Sequence, residues 1–193
     1  MQILEELALN ITHITDLGAG QGGAAAIFLS ALQKKGGGTL VCVDLKIYQE
    51  LLNLFPRSEG GTLPLHPFPN CPGLQVRIIQ EDTRTVELEE TDLLLIDTTP
   101  SYSHLLEELT LHTPKCRRYL VIPGISAYGV VGHTRDDPTD PGADHDLGGP
   151  GELIQTEGLK LAIEQYFDAE PGWEVQHESQ EGTGLLVMRR AES

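Results

Sequence analysis

The sequence predicts an α/β fold: a Rossmann-like three-layer sandwich around a mostly parallel, seven-stranded sheet with a C-terminal antiparallel hairpin. Three observations carry this. Strand patterns and helix patterns alternate five times, as parallel strands joined by crossover helices require. The second strand pattern, TLVCVDL, is almost wholly apolar, which suits a strand covered on both faces. The last two strand patterns, WEVQHES and GLLVMRR, are separated only by a short turn around Glu181, Gly182 and Thr183. They pair as a hairpin, so the final strand runs against the rest.

Taken in order, Ile3, Leu4, Leu7 and Ile11 fall at helical spacing and predict a short amphipathic helix. ITHITDL, rich in β-branched residues, is the first strand, and DLGAGQGG is the loop after it. AAAIFLSALQKK is a helix stopped by Gly36, Gly37 and Gly38. TLVCVDL and IYQELLNLF give the next strand and helix. Residues 56–73 carry five prolines and read as loop. LQVRIIQED and DLLLID are the third and fourth strands. SYSHLLEELTLH is a helix with Ser101 as N-cap, and RYLVI is the fifth strand. Residues 123–155 read as a long acidic Gly/Pro-rich loop or lid, and residues 156–169 as an amphipathic helix. The whole chain, 1–193, reads as one domain.

Composition narrows the function. Lysine and arginine number 13 against 29 acidic residues, for a formal net charge of −16. Phosphate backbones and anionic membranes are both bound through cations, so neither nucleic acid nor membrane is expected as a partner. A small-molecule partner fits better; homo-oligomerisation is left open. Three widely spaced cysteines form neither a disulfide framework nor a zinc motif, and Cys42 reads as a buried thiol. The opening MQILEELALN lacks a basic start and an apolar run, so a signal peptide is not expected and cytoplasmic residence is. AAAIFL, the longest apolar run, is too short to span a bilayer.

The glycine loop lies where doubly wound sheets bind ligands, at the carboxyl end of the first strand. Gly18 and Gly20 leave backbone N–H groups open to a ligand, with Gly22 completing the alternation. Asp44 ends the second strand, 24 residues after Gly20, where a carboxylate accepts both hydroxyls of a ribose. Gly18, Gly20 and Gly23 also match the GxGxxG dinucleotide fingerprint, so an NAD-binding oxidoreductase is a rival reading. Asp16 weighs against it. A carboxylate there repels a pyrophosphate and suits a ligand with a cationic amino-acid end.

With those residues in place, DLGAGQG resembles the first motif of class I S-adenosylmethionine-dependent methyltransferases, and VCVDL the acidic end of their second strand. QEDT, with Asp82, is similar to the segment that contacts adenine, and LLLID places Asp97 like the residue near the methyl donor. The resemblance runs from about residue 11 to 190. It implies S-adenosylmethionine as cofactor and methyl transfer to a small-molecule oxygen or nitrogen. A non-catalytic cofactor-binding protein of the same fold is the alternative.

The second half resembles the cephalosporin hydroxylase-like and sugar O-methyltransferase-like subgroup. Its Asp-Thr-x-His-x-Tyr segment is matched here by Asp97, Thr98 and Tyr102, but Pro100 stands where the histidine would be. Pro123, Gly124 and Ile125 replace a His-Asp-Thr, and Gly182–Thr183–Gly184–Leu185 replaces a late Asn-Asn-Gly-Leu. In metal-dependent relatives, carboxylates after the fourth and fifth strands hold a divalent ion. Gly124 offers no such ligand, so that metal site is expected to be absent. His133, at the start of the acidic loop, and His104 are the candidate bases, with Asp97 beside the reacting groups and Tyr102 against the acceptor. HTRDDPTDPGADHD (133–146) reads as a solvated loop or a lid rather than a metal site. His66, His112 and His177 read as surface residues, and Trp173 and Tyr166 as core.

Overall fold

The computed structural model describes residues 2–55, 63–135 and 153–191. The chain forms two compact units, Met1–Leu95 and Ile96–Ser193. In the first, helix α1 (Gln2–Ala8) precedes β1 (His13–Leu17), α2 (Gly23–Lys35), β2 (Gly38–Asp44), α3 (Gln49–Asn53), β3 (Leu63–Phe68), β4 (Cys71–Gln80) and β5 (Thr91–Ile96). These strands lie in the order β3-β4-β2-β1-β5. β1 and β2 run parallel with Leu17 opposite Val43, and β2 and β4 run parallel with Asp44 opposite Gln80.

The apolar strands explain the arrangement. Ile14, Leu40, Cys42, Val76, Leu93 and Leu94 have no exposed surface. Burial of this kind fixes register, because a one-residue slip would turn every side chain to the other face. Asp92 adds a polar pin at the start of β5. Its Oδ2 accepts hydrogen bonds from Thr12 N and Oγ1, both at 2.8 Å, and from His13 N at 3.0 Å. The stop at the end of α2 is as the glycines predict. Gly36 is left-handed (φ 89), and the Gly36 and Gly37 N–H groups return to Gln33 O and Leu32 O.

In the second unit, α4 (Tyr102–His112) is followed by a 3-10 turn (Thr113–Lys115), β6 (Cys116–Pro123), β7 (Val131–Arg135), β8 (Leu153–Glu157), α5 (Leu159–Ala169), β9 (Trp173–Ser179) and β10 (Leu185–Arg190). β6, β10 and β9 lie side by side in that order. β10 is antiparallel to both neighbours, with Val187 opposite Val121 and Arg190 opposite Trp173. The fold class is therefore the expected one, with parallel strands and a closing antiparallel hairpin.

Several local features differ from expectation. Among the described residues the main sheet has eight strands, not seven. The extra one is β3, inside the proline-rich segment read as loop. It pairs antiparallel with β4 through a turn in which Asn70 is left-handed (φ 63). It stands at the end of the strand order, where prolines are tolerated because one edge needs no ladder partner. The segment 123–155 contains β7 and β8, which pair antiparallel from Val131–Glu157 to Arg135–Leu153. α5 accordingly begins at Leu159, because 156 and 157 belong to β8. The acidic stretch 136–152 lies outside the described residues.

Side chains depart from expectation as well. His112 is fully buried rather than on the surface. Trp173 and Tyr166 are only half-buried rather than core. Trp173 is covered by the Arg190 guanidinium at 4.8 Å, which also donates to Cys116 O and Thr113 O. Ser101 sits at the N-cap position of α4, but its hydroxyl makes no cap hydrogen bond.

The three free cysteines differ in access: Cys42 and Cys116 are buried and Cys71 is half-buried. Burial, and then the carboxylates of Asp16 and Asp44, push the Cys42 thiol well above its ordinary value. An aromatic disulfide reagent should therefore label Cys71 in the native protein and all three thiols only in denaturant. Rapid native labelling of Cys42, read by mass spectrometry, would contradict this burial.

Candidate functional site

The glycine loop occupies the turn from β1 into α2. Gly18, Gly20 and Gly22 all take left-handed φ values of 78, 51 and 91°. The loop is tied to the end of β2 by its own backbone. Gly18 N and Ala19 N donate to Val43 O at 2.9 and 3.3 Å, and Gly20 N donates to Asp44 Oδ2 at 2.7 Å. Lys46 N donates to the other oxygen of Asp44 at 3.0 Å. The Asp44 carboxylate is thus held in place by backbone before any ligand arrives.

The glycines serve two different ends. A Cβ on Gly20 would find only Gly18 O, at 3.9 Å, so the space over Gly20 is open. A Cβ on Gly22 would lie 2.8 Å from Leu54 Cδ1 and 3.2 Å from Leu51 Cα. Gly22 is therefore required by the packing of α3 and its following turn, while Gly20 leaves backbone accessible. Asp16 is fully buried at the end of β1. Asp82, after β4, accepts hydrogen bonds from Arg84 N at 2.8 Å, Nε at 3.2 Å and a terminal guanidinium nitrogen at 2.9 Å.

These residues fit an adenosyl cofactor. A carboxylate offers about four acceptor positions. Backbone takes one on each oxygen of Asp44, and the others remain for the hydroxyls of a ribose. The open backbone over Gly20 gives a ligand room to approach.

The second unit contains a cavity of about 350 Å³. Its lining includes Asp97, Thr98, Ile122, Gly124, Tyr128 and Leu159. Backbone hydrogen bonds build the wall beyond β6. Gly124 N donates to Gly184 O and Ser126 N to Thr183 O, both at 2.9 Å. Leu159 N, opening α5, donates to Tyr128 O at 3.0 Å. Burial pushes the Asp97 carboxyl above its ordinary value. No lysine, arginine or histidine lines this cavity among the described residues.

Of the candidate bases, His104 lies on α4 with Nε2 3.2 Å from Glu108 Oε1. Thr98 donates its hydroxyl hydrogen to Glu108 Oε2 at 2.7 Å. Tyr102 donates to Gln165 Oε1 of α5 and is not among the residues lining the cavity. The His133 backbone belongs to β7, opposite Gln155. Glu108 and Tyr128 were not singled out from sequence. The only sequence signal for Glu108 was its i,i+4 spacing from His104; its burial depends on the packing of α4.

Metal-dependent relatives place a carboxylate after the fifth strand, at the position of Gly124. Gly124 is left-handed (φ 84), and a Cβ on it would lie 3.2 Å from the Tyr128 ring and 3.6 Å from Leu159 Cδ1. Among the described residues no three His, Cys, Asp or Glu side chains cluster in a metal-binding arrangement.

No protein-family model and no curated protein sequence matches the chain. Solved structures do. A Staphylococcus aureus protein assigned as a caffeoyl-CoA O-methyltransferase is similar at a TM-score of 0.61 and 14% identity, over 98% of this chain and 82% of that one. An S-adenosylhomocysteine-bound methyltransferase from Podospora anserina is similar at 0.59 and 13% identity, over 98% and 77%. Magnesium protoporphyrin IX methyltransferase from Synechocystis PCC 6803, also with bound S-adenosylhomocysteine, is similar at 0.56 and 12% identity, over 98% and 82%. The fold is that of the class I S-adenosylmethionine-dependent methyltransferases. No helix among the described residues is long and apolar enough to cross a membrane.

Replacing Gly124 by aspartate tests the metal reading from the opposite side. The left-handed backbone and the Tyr128 ring should make Gly124→Asp destabilising by about 1–3 kcal/mol. Urea unfolding should show that loss, and calorimetry should show no gain of magnesium binding. A stable variant that acquires magnesium would mean that an ion site is latent in the fold.

Proposed function

We propose that this chain is a methyltransferase that binds S-adenosylmethionine on the glycine loop and methylates an oxygen or nitrogen of a small molecule. The observation that carries the reading is the Asp44 carboxylate, held by Gly20 N–H and Lys46 N–H beside open loop backbone. Asp16, buried at the end of β1, is unsuited to a pyrophosphate and argues against NAD.

When bound, the sulfonium supplies an electrophilic methyl group. What the protein must add is alignment of the acceptor with that methyl, and proximity supplies much of the acceleration. The cavity lined by Ile122, Tyr128 and Leu159 suits the apolar body of an acceptor, with Asp97 and Thr98 as polar anchors. In the overall reaction the acceptor gains the methyl, loses a proton, and S-adenosylhomocysteine departs. His104 and His133 remain the candidate proton acceptors, His104 being oriented by Glu108. The absence of basic residues from the described lining and the net charge of −16 favour a neutral or cationic acceptor over nucleic acid.

A second reading has its own support. Pro100 and Gly124 stand where relatives carry a histidine and a carboxylate, as in a protein that binds the cofactor without turnover. Turnover with any acceptor would exclude that reading.

Calorimetry with S-adenosylmethionine, S-adenosylhomocysteine and NAD should show binding of the first two only. Asp44→Ala should weaken S-adenosylhomocysteine at least tenfold, or about 1.4 kcal/mol. Asp16→Ala should weaken S-adenosylmethionine. Binding of NAD in their place would overturn the class of reaction.

A further inference from the structure

Glu108 has a second contact besides His104, with Thr98. Its side chain is fully buried on α4. Enclosing a carboxylate is costly unless hydrogen bonds replace its water. Here one oxygen receives Thr98 Oγ1 at 2.7 Å and the other lies 3.2 Å from His104 Nε2. His104 is itself only 13% exposed. A leucine would fill this place on α4 without the cost.

Thr98 connects this buried group to the cavity, because it also lines the wall. A hydroxyl has one hydrogen to donate and two lone pairs to accept with. The hydrogen of Thr98 is committed to Glu108. What remains for the cavity is an acceptor. Without Glu108 the hydroxyl would be free to rotate and greet a donor or an acceptor equally. The neighbouring Asp97, when ionised, is likewise an acceptor.

We infer that Glu108 is a positioning residue: by holding the Thr98 hydrogen it leaves Thr98 an acceptor toward the cavity, which favours ligands that carry an O–H there and disfavours the same ligands once O-methylated. This deepens the acceptor-site reading given above and rests on it. A hydroxyl acceptor donates its hydrogen to Thr98. After methylation the ether has no hydrogen to give, and its lone pairs face those of Thr98. Substrate is held and product is released by the same atom. No ion and no moving loop is needed.

The test compares phenol with anisole, which differ by the methyl group in question. Binding to the intact chain is followed by NMR shifts of residues around the cavity. An unmet polar contact costs enough that phenol should bind about fivefold or more tightly than anisole. Thr98→Val keeps the shape but removes the acceptor, and should abolish that preference. Thr98→Ser should restore it. Glu108→Gln should reduce the preference, because an amide nitrogen can donate to Thr98 and turn its hydrogen into the cavity.

A purely structural Glu108 would lower the melting temperature in Glu108→Gln and leave the phenol-to-anisole ratio untouched. That result overturns the inference. So does a wild-type protein that binds both probes equally or neither. S-adenosylhomocysteine binding is measured on the same samples. Loss of cofactor binding with the phenol preference intact would overturn methyl transfer and still support the selective wall.

Discussion

The hydrogen bond from Gly20 N–H to Asp44, 2.7 Å long, closes the glycine loop onto the end of β2. Much of the candidate cofactor site depends on this one contact. It fixes the direction of the carboxylate, and it holds Gly20 in the left-handed conformation that leaves backbone open. The contact is available only because β1 and β2 are parallel and in register, with Leu17 beside Val43. That register follows from the burial of Ile14, Leu40 and Cys42. Apolar burial thus sets the position of a polar group, which costs little reorganisation when a ligand binds.

The second unit frames its cavity mainly with backbone hydrogen bonds. Its cavity is framed by segments that are far apart in sequence and joined by backbone hydrogen bonds. The residues after β6 are fastened to Thr183 and Gly184 on one side and to the start of α5 on the other. Gly124 is at the centre of this frame, with the Tyr128 ring close to its α-carbon. The polar lining of the cavity includes Asp97, Thr99, Thr183 and Thr98, whose hydroxyl hydrogen is given to Glu108.

Legibility followed the range of the physical signal. β1, β2 and β5 were readable because their apolar runs report burial locally. The α2 stop was readable because Gly36 alone can take the left-handed cap without strain. β3 was not readable, since Pro64, Pro67 and Pro69 mark loops and edge strands alike. β7 and β8 were missed because each needs a partner about twenty residues away in the chain. His112 was placed outside because a single histidine at a helix end carries no sign of what packs over it. Gly22 was grouped with the ligand-facing glycines, whereas its neighbours are Leu51 and Leu54.

The sequence by itself determined the class of fold, the glycine loop and the acidic strand ends at Asp16 and Asp44. Those are properties of residue type at fixed spacing along one strand or turn, where geometry is set by neighbouring bonds. Only the tertiary structure decided which polar groups meet. It brought Thr98 and His104 to opposite oxygens of Glu108, turned Tyr102 to Gln165, and set the Tyr128 ring against Gly124. Such meetings depend on how helices and loops pack, which balances burial against hydrogen bonding over the whole unit, and no local pattern encodes that balance.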